Sequence, residues 1–131
     1  MISISITTSK QTAFTDITKE IEKVIDKAGI ADGAVLVYVP HTTAGITINE
    51  GADPSVQEDI LNLLNQLVPF RGSYRHVEGN SAAHIKASLI GSSVLVGIEQ
   101  GRLVLGRWQS LFFCEFDGPR TRKVLIKFLS L

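Results

Sequence analysis

The hydrophobic period of this chain switches repeatedly between two and about 3.6 residues, which restricts it to a fold mixing strands and helices. Ile2, Ile4 and Ile6 alternate with Ser3, Ser5 and Thr7, the pattern of a half-buried strand. Residues 10–14 read as a turn or a second short strand. Ile17, Ile21, Val24, Ile25 and Ala28 then recur at helical spacing, with Thr15 or Asp16 as N-cap and Gly29 at the C-terminal end. Residues 34–39 are continuously apolar, which predicts a strand buried on both faces. Pro40 ends that run or allows a bend before a strand at 45–49. Asp53 and Pro54 start a second helix, whose buried stripe is expected at Val56, Ile60, Leu63, Leu64 and Leu67, and Pro69 stops it. Residues 70–79 form a loop. Asn80 or Ser81 caps a short third helix ending near Gly91. The remainder is β: a strand at 94–98, a turn at Glu99-Gln100-Gly101, a long strand at 103–116 with Gly106 as a bulge, a turn at Asp117-Gly118-Pro119, and a last strand at 124–129. The fold class is α+β, with largely antiparallel sheets, two longer helices and one short one.

The 131 residues suit one domain, and no linker, repeat or low-complexity segment divides them. Thirteen basic side chains balance thirteen acidic ones, for a formal net charge of zero. A nucleic-acid binder shows a basic excess, so nucleic acid is not an expected partner. Near-zero charge also gives little protection against self-association. The one cysteine, Cys114, forms no intramolecular disulfide and sits in an apolar run, as a buried thiol does. The N-terminus reads as a strand rather than a signal peptide, and no apolar run is long enough to span a bilayer. No membrane association is expected, and the cytoplasm is the simplest location.

All three histidines lie in polar clusters. His41 opens a segment that runs through Thr42, Thr43, Thr47, Asn49 and Glu50. His76 and His84 bracket Glu78, Asn80 and Ser81. Histidine ligates metals and transfers protons near neutral pH, so its confinement to such segments points to one assembled site. If 41–50 is extended throughout, His41, Thr43, Gly45, Thr47 and Asn49 share a face, while Ile46, Ile48 and Glu50 share the other. The competing reading is a solvent-facing β surface. His84 falls near a helix N-terminus, where free N–H groups and the helix dipole favour a phosphate or carboxylate. The spacing of His76 and His84 is no standard zinc signature, but His41 would complete a set of three imidazoles, as in one class of catalytic zinc site. Glu50 and Glu78 are candidate bases or partners that orient an imidazole. Arg107 and Gln109 share a strand face with Glu115 and suit a polar ligand, opposite an apolar face of Trp108, Phe112, Cys114 and Phe116.

These segments together resemble the YjbQ-like family of small conserved proteins. The resemblance rests on His41-Thr42-Thr43-Ala44, Thr47-Ile48-Asn49-Glu50, Ala52-Asp53-Pro54, Tyr74-Arg75-His76, Glu78-Gly79-Asn80, Ala83-His84-Ile85-Lys86-Ala87-Ser88-Leu89, Gly101-Arg102-Leu103, Trp108-Gln109 and Glu115-Phe116-Asp117-Gly118-Pro119-Arg120. It implies a sandwich-like α+β fold, a homotrimer, and a histidine pocket at a subunit boundary that takes metal or anion. Some members are linked to a weak thiamine-phosphate synthase activity, which joins a pyrimidine methyl pyrophosphate to a thiazole phosphate. Two departures stand out. Some relatives carry an aspartate-rich insertion where this chain has only Asn80-Ser81-Ala82-Ala83. Others carry a histidine where it has Phe116.

The resulting expectation is a metal-binding enzyme for a small anionic or phosphorylated substrate, with synthase activity as one candidate reaction. Glu50, Asn49 and His84 are the expected catalytic residues. Thr43, Asn80, Ser81, Arg107 and Gln109 are expected to bind substrate or anion. His41, His76 and His84 are the expected ligands of a divalent metal, zinc first, with magnesium for a pyrophosphate substrate. The alternative is a non-catalytic trimeric protein that binds a metal or metabolite.

Overall fold

The computed structural model describes residues 1–76 and 78–130. The order along the chain is β1 (Ile2–Thr7), β2 (Ala13–Asp16), α1 (Thr18–Ala28), β3 (Gly33–Tyr38), β4 (Ala44–Glu50), α2 (Pro54–Leu67), α3 (Ser81–Ile90), β5 (Ser93–Glu99), β6 (Arg102–Leu103), β7 (Gln109–Glu115) and β8 (Thr121–Leu129). Two antiparallel sheets result, one ordered β1-β8-β3-β5-β6 and one ordered β2-β7-β4. The expected α+β class with antiparallel sheets is what forms. No described helix is long and apolar enough to cross a membrane.

Strand alternation decides which side chains meet between the layers. Ile6, Val35, Val37, Val96, Ile98, Val124 and Ile126 project from the five-stranded sheet into a core closed by Ile17, Ile21 and Ile25 around α1. Ala44 and Ile46 of β4 and Leu111 and Phe113 of β7 enter it from the three-stranded sheet. The other face of that sheet carries Phe112 and Cys114, and α2 and α3 cover it with Leu61, Leu64, Ala83, Ala87 and Ile90. Strand β7 is therefore buried on both faces, and the molecule has three layers around it.

Local chemistry fixes the element ends. Gly29 takes the left-handed conformation (φ 68°) that closes α1. Asp53 accepts the Ser55 N–H at 3.0 Å, with Pro54 in the first turn of α2. The α1 N-cap is Ile17 rather than Thr15 or Asp16, but the Asp16 carboxylate still takes the Thr18 N–H at 3.0 Å. The Thr18 hydroxyl in turn accepts the Leu111 N–H at 2.9 Å, lashing α1 to β7.

Four expectations change. Strand β3 buries Val35 and Val37 but leaves Tyr38 exposed, because no described element covers the outer face of the five-stranded sheet. The α2 stripe is out of phase with the helix's seat: Leu61 and Leu64 pack inward, whereas Leu63 and Leu67 are exposed. The long strand at 103–116 is two strands. The chain leaves the five-stranded sheet after β6, crosses at residues 104–108, and enters the three-stranded sheet as β7. That crossing also exposes Trp108, expected in the core, under the Arg107 guanidinium 4.8 Å from its ring centre.

Candidate functional site

Strand β4 begins only at Ala44, so His41 and Thr43 lie in the bend before it and do not share its face pattern. Ile46 and Ile48 face the core as expected, and Ala44 faces it with them. The opposite face is not an open polar surface, because α3 crosses it at Gly45. A side chain on Gly45 would place its Cβ 2.6 Å from the Gly91 carbonyl, so only glycine lets the end of α3 lie this close. The Ile46 N–H donates to that carbonyl at 3.0 Å, which ties α3 to β4.

This docking brings the histidines together. His41 and His84 line two adjoining hollows. One, of about 370 Å³, adds Ala87, Ser88 and Ser92; the other, of about 430 Å³, adds Glu78, Asn80, Asp117, Arg120 and Arg122. The exposed His76 meets His84 edge to face, with ring centres 5.3 Å apart. All three imidazoles thus border one region, as their placement in the sequence suggested.

The start of α3 is the second feature of the hollow. Asn80 occupies the N-cap position but does not cap: its side-chain amide donates to Asp117 at 3.0 Å instead. Asp117 also pairs with Arg120 at 3.1 Å, so the β7–β8 turn is tied to the first turn of α3. The Asn80 carbonyl takes the Ala83 N–H at 3.1 Å, but among the described residues no side chain caps the Ser81 and Ala82 N–H groups at the positive end of the helix dipole. Asn80 Oδ1 is buried and has no hydrogen-bond partner among the described residues. Ser81 opens α3 but lines neighbouring hollows with Tyr74 and His76.

Beneath the hollow lies a buried ion pair. Arg122 is 3% exposed and Glu115 is fully buried, and the guanidinium donates to the carboxylate through Nε and Nη2. Glu115 also accepts from the Thr8 hydroxyl at 2.7 Å and the Asp117 N–H at 3.0 Å. Burial works against ionisation of Glu115, but Arg122, Asp117 and Thr8 together hold its carboxyl below the usual range. Arg122 further donates to the Thr43 carbonyl at 3.2 Å and hydroxyl at 2.8 Å. Thr43, expected to bind substrate, lines this hollow, is 5% exposed and supports the bend that carries His41.

The expected site splits into two. Asn49 and Glu50 pair with Ser110 and Gln109 at the far end of β4, about 20 Å from Ala44 at the rise of an extended strand. There Asn49 Oδ1 accepts the Glu50 N–H at 2.7 Å, and Glu50 accepts the Ala52 N–H at 2.8 Å. Gln109 accepts the Gly106 N–H at 2.7 Å, and Arg107 lies on Trp108. Within one chain, Glu50, Asn49, Arg107 and Gln109 therefore do not join His84. The 104–108 crossing delivers β7 at the end of the sheet remote from the α3 N-terminus. The cations at the hollow are instead Arg120 and Arg122, neither among the expected site residues. A signal for the pair was present. Glu115 shares strand parity with core residues Leu111 and Phe113, and Arg122 with Val124 and Ile126, so opposite charges point into one core.

The metal expectation can be tested on the donors. His41 Nε2 accepts the Lys123 backbone N–H at 2.9 Å, which occupies one of its two nitrogens. Among the described residues no group of three His, Cys, Asp or Glu side chains is placed to hold a metal ion. Within one chain, the three imidazoles do not fit a zinc site as they stand.

A family model described as UPF0047 protein YjbQ-like matches residues 2–131. The UPF0047 protein YugU of Bacillus subtilis is 51% identical over 97% of both chains. The UPF0047 protein MJ1081 of Methanocaldococcus jannaschii is 49% identical over 98% of this chain and 94% of its own. The crystal structure of an uncharacterized conserved YjbQ/UPF0047 protein from Clostridium acetobutylicum superposes with a TM-score of 0.96. It is 55% identical, over 98% of this chain and 100% of that one.

Proposed function

The chain belongs to the UPF0047 YjbQ-like family, and from that premise we propose that it is an enzyme for a small phosphorylated or otherwise anionic substrate, held in the hollow between His41 and His84. The observation that carries this reading is the lining itself. His41, His84 and Arg120 surround one hollow of about 430 Å³ at the uncapped start of α3. The Arg120 guanidinium and the α3 dipole border the same hollow and favour a bound oxyanion, with Asp117 holding Arg120 in place. His84, at the first turn of α3 and bordering several hollows, is the group positioned to exchange a proton with such a ligand.

Thiamine-phosphate synthesis, the reaction suggested by the resemblance, shares the need for a bound phosphate. Of the phosphate positions expected for it, the α3 N-terminus at Asn80 to His84 borders the hollow, whereas Arg107 lies at the other end of β7. The same hollow would serve a non-catalytic binding protein, and turnover of a phosphorylated substrate, abolished in His84→Ala, separates the two readings.

Titration with inorganic phosphate, followed by calorimetry, tests the binding step. Saturable binding is expected, and Arg120→Ala should weaken it about tenfold or more, the scale of one charge-assisted hydrogen bond. Arg107→Ala should leave it unchanged. Absence of saturable binding, or equal losses in the two variants, would remove the assignment.

We also propose that the chain assembles as a homotrimer. Leu95 (62% exposed), Val104 (51%) and Tyr38 (38%) leave the outer face of the five-stranded sheet with an apolar surface and no covering layer. The chain's zero net charge offers little repulsion against association. Light scattering coupled to size exclusion should return about three times the 14.3 kDa chain mass; a monomer would refute the assembly.

A further inference from the structure

The hydrogen bond from Lys123 to His41 carries information about the proton on the other ring nitrogen. An imidazole nitrogen that accepts a hydrogen bond must be unprotonated, and a neutral imidazole then carries its one proton on the remaining nitrogen. Here Nε2 accepts the Lys123 N–H at 2.9 Å, so the proton of a neutral His41 resides on Nδ1. A doubly protonated ring would have no lone pair for Lys123. No hydrogen bond engages Nδ1 among the described residues, and it is not among their buried unpartnered atoms. The ring lines both hollows, with Nε2 turned toward β8.

The surroundings favour the neutral ring. Burial, first, and then the Arg122 guanidinium hold His41 below its usual value. Asp117, Glu78 and His84 line the same hollow. We propose that His41 serves the ligand as a neutral Nδ1–H donor, fixed in that tautomer by the Lys123 amide, and that the hollow takes a phosphate-like oxyanion directly rather than through a metal. This rests on the anion reading above and adds to it which atom binds and why. A nitrogen already committed to Lys123 would have to give up that bond to become a metal ligand. A backbone amide held within β8 cannot follow the ring.

Long-range proton–nitrogen NMR spectra of histidine-labelled protein at neutral pH, without ligand, test the tautomer directly. The His41 signals, assigned by their loss in His41→Asn, should show a protonated Nδ1 and an unprotonated Nε2. An Nε2–H tautomer or a doubly protonated ring overturns the proposal. Added inorganic phosphate should shift the Nδ1–H signal and leave the tautomer unchanged. Zinc alone, at one equivalent, should leave the Nε2 signal in place; its capture by zinc also overturns the proposal. In calorimetry, His41→Ala should weaken phosphate binding about tenfold or more, while His41→Asn, whose amide N–H falls near the Nδ1 position, should recover most of the loss. Equal binding by wild type and His41→Ala sinks the donor role. The arms separate two failures. Wild-type protein that shows the tautomer but binds no phosphate loses the anion reading, whereas protein that binds phosphate with a different tautomer loses only this one.

Discussion

Glu115→Ala should destabilise the protein by about 3–5 kcal/mol, and Arg122→Ala by a similar amount, the usual cost of stranding one charge of a buried pair. Neither group has water to fall back on, since Glu115 is fully buried and Arg122 is 3% exposed. Among the described residues, removing the carboxylate leaves the guanidinium with the Thr43 oxygens. Removing the guanidinium leaves the carboxylate with Thr8 and the Asp117 N–H. Domains of this kind are stable by about 5–15 kcal/mol, so either change consumes a large share. The double variant Glu115→Gln/Arg122→Met should cost less than the two single losses added together, because no uncompensated charge remains. Urea unfolding of the three variants checks this; single variants within about 1 kcal/mol of wild type would contradict the account. The pH dependence has a definite sign. A carboxyl held below its ordinary value contributes stability that is complete above that ordinary value, 4.5, and is lost as pH falls through the lower native one. Glu115→Gln should therefore flatten the acid limb of the stability profile. The site should suffer as well, because Arg122 holds the bend at Thr43 from which His41 projects.

Phe112→Ala should cost about 3–5 kcal/mol, the range for emptying a large aromatic from a core. Phe112 is fully buried on the helix side of β7, packed with Phe14 at a ring-centre distance of 6.0 Å and with Ala83 and Ala87 of α3 in the same cluster. Two small alanines cannot move far enough to fill the void, because Gly45 and Gly91 already hold α3 against β4. Phe113→Ala on the opposite face empties the other core, under α1 and the five-stranded sheet. Similar global losses are expected from both. Hydrogen exchange separates them: Phe112→Ala should open α3 amides preferentially and weaken phosphate binding, while Phe113→Ala should do neither selectively. Equal protection of α3 in the two variants would refute this division of the core.

Strand and helix positions were legible because each is set by the period of its own residues. Ile2, Ile4 and Ile6 identify β1 with no help from elsewhere, and Asp53-Pro54 marks the start of α2 by the chemistry of a single turn. The α2 stripe is not legible in the sequence, because helical periodicity offers several overlapping apolar faces. Only the narrow seat beside Phe14 selects Leu61 and Leu64 over Leu63 and Leu67. The candidate site was legible in part. The histidines were found, and their convergence follows from α3 crossing β4. Glu50 and Arg107 were misplaced because strand parity gives a face but not an end of the sheet. Which end each strand presents depends on the crossing at 104–108, where no local period survives.

The sequence by itself determined the α+β class, the order of most elements, the apolar face of Phe112, Cys114 and Phe116, and the two polar segments that hold the histidines. These depend on neighbours within a few residues. Tertiary structure alone decided that His41 gives its Nε2 to the Lys123 amide, 82 residues away, that Glu115 and Arg122 neutralise each other beneath the hollow, and that Glu50 stands at the far end of β4. Hydrogen bonds of that range depend on sheet register and layer packing, which are fixed only when the whole core closes.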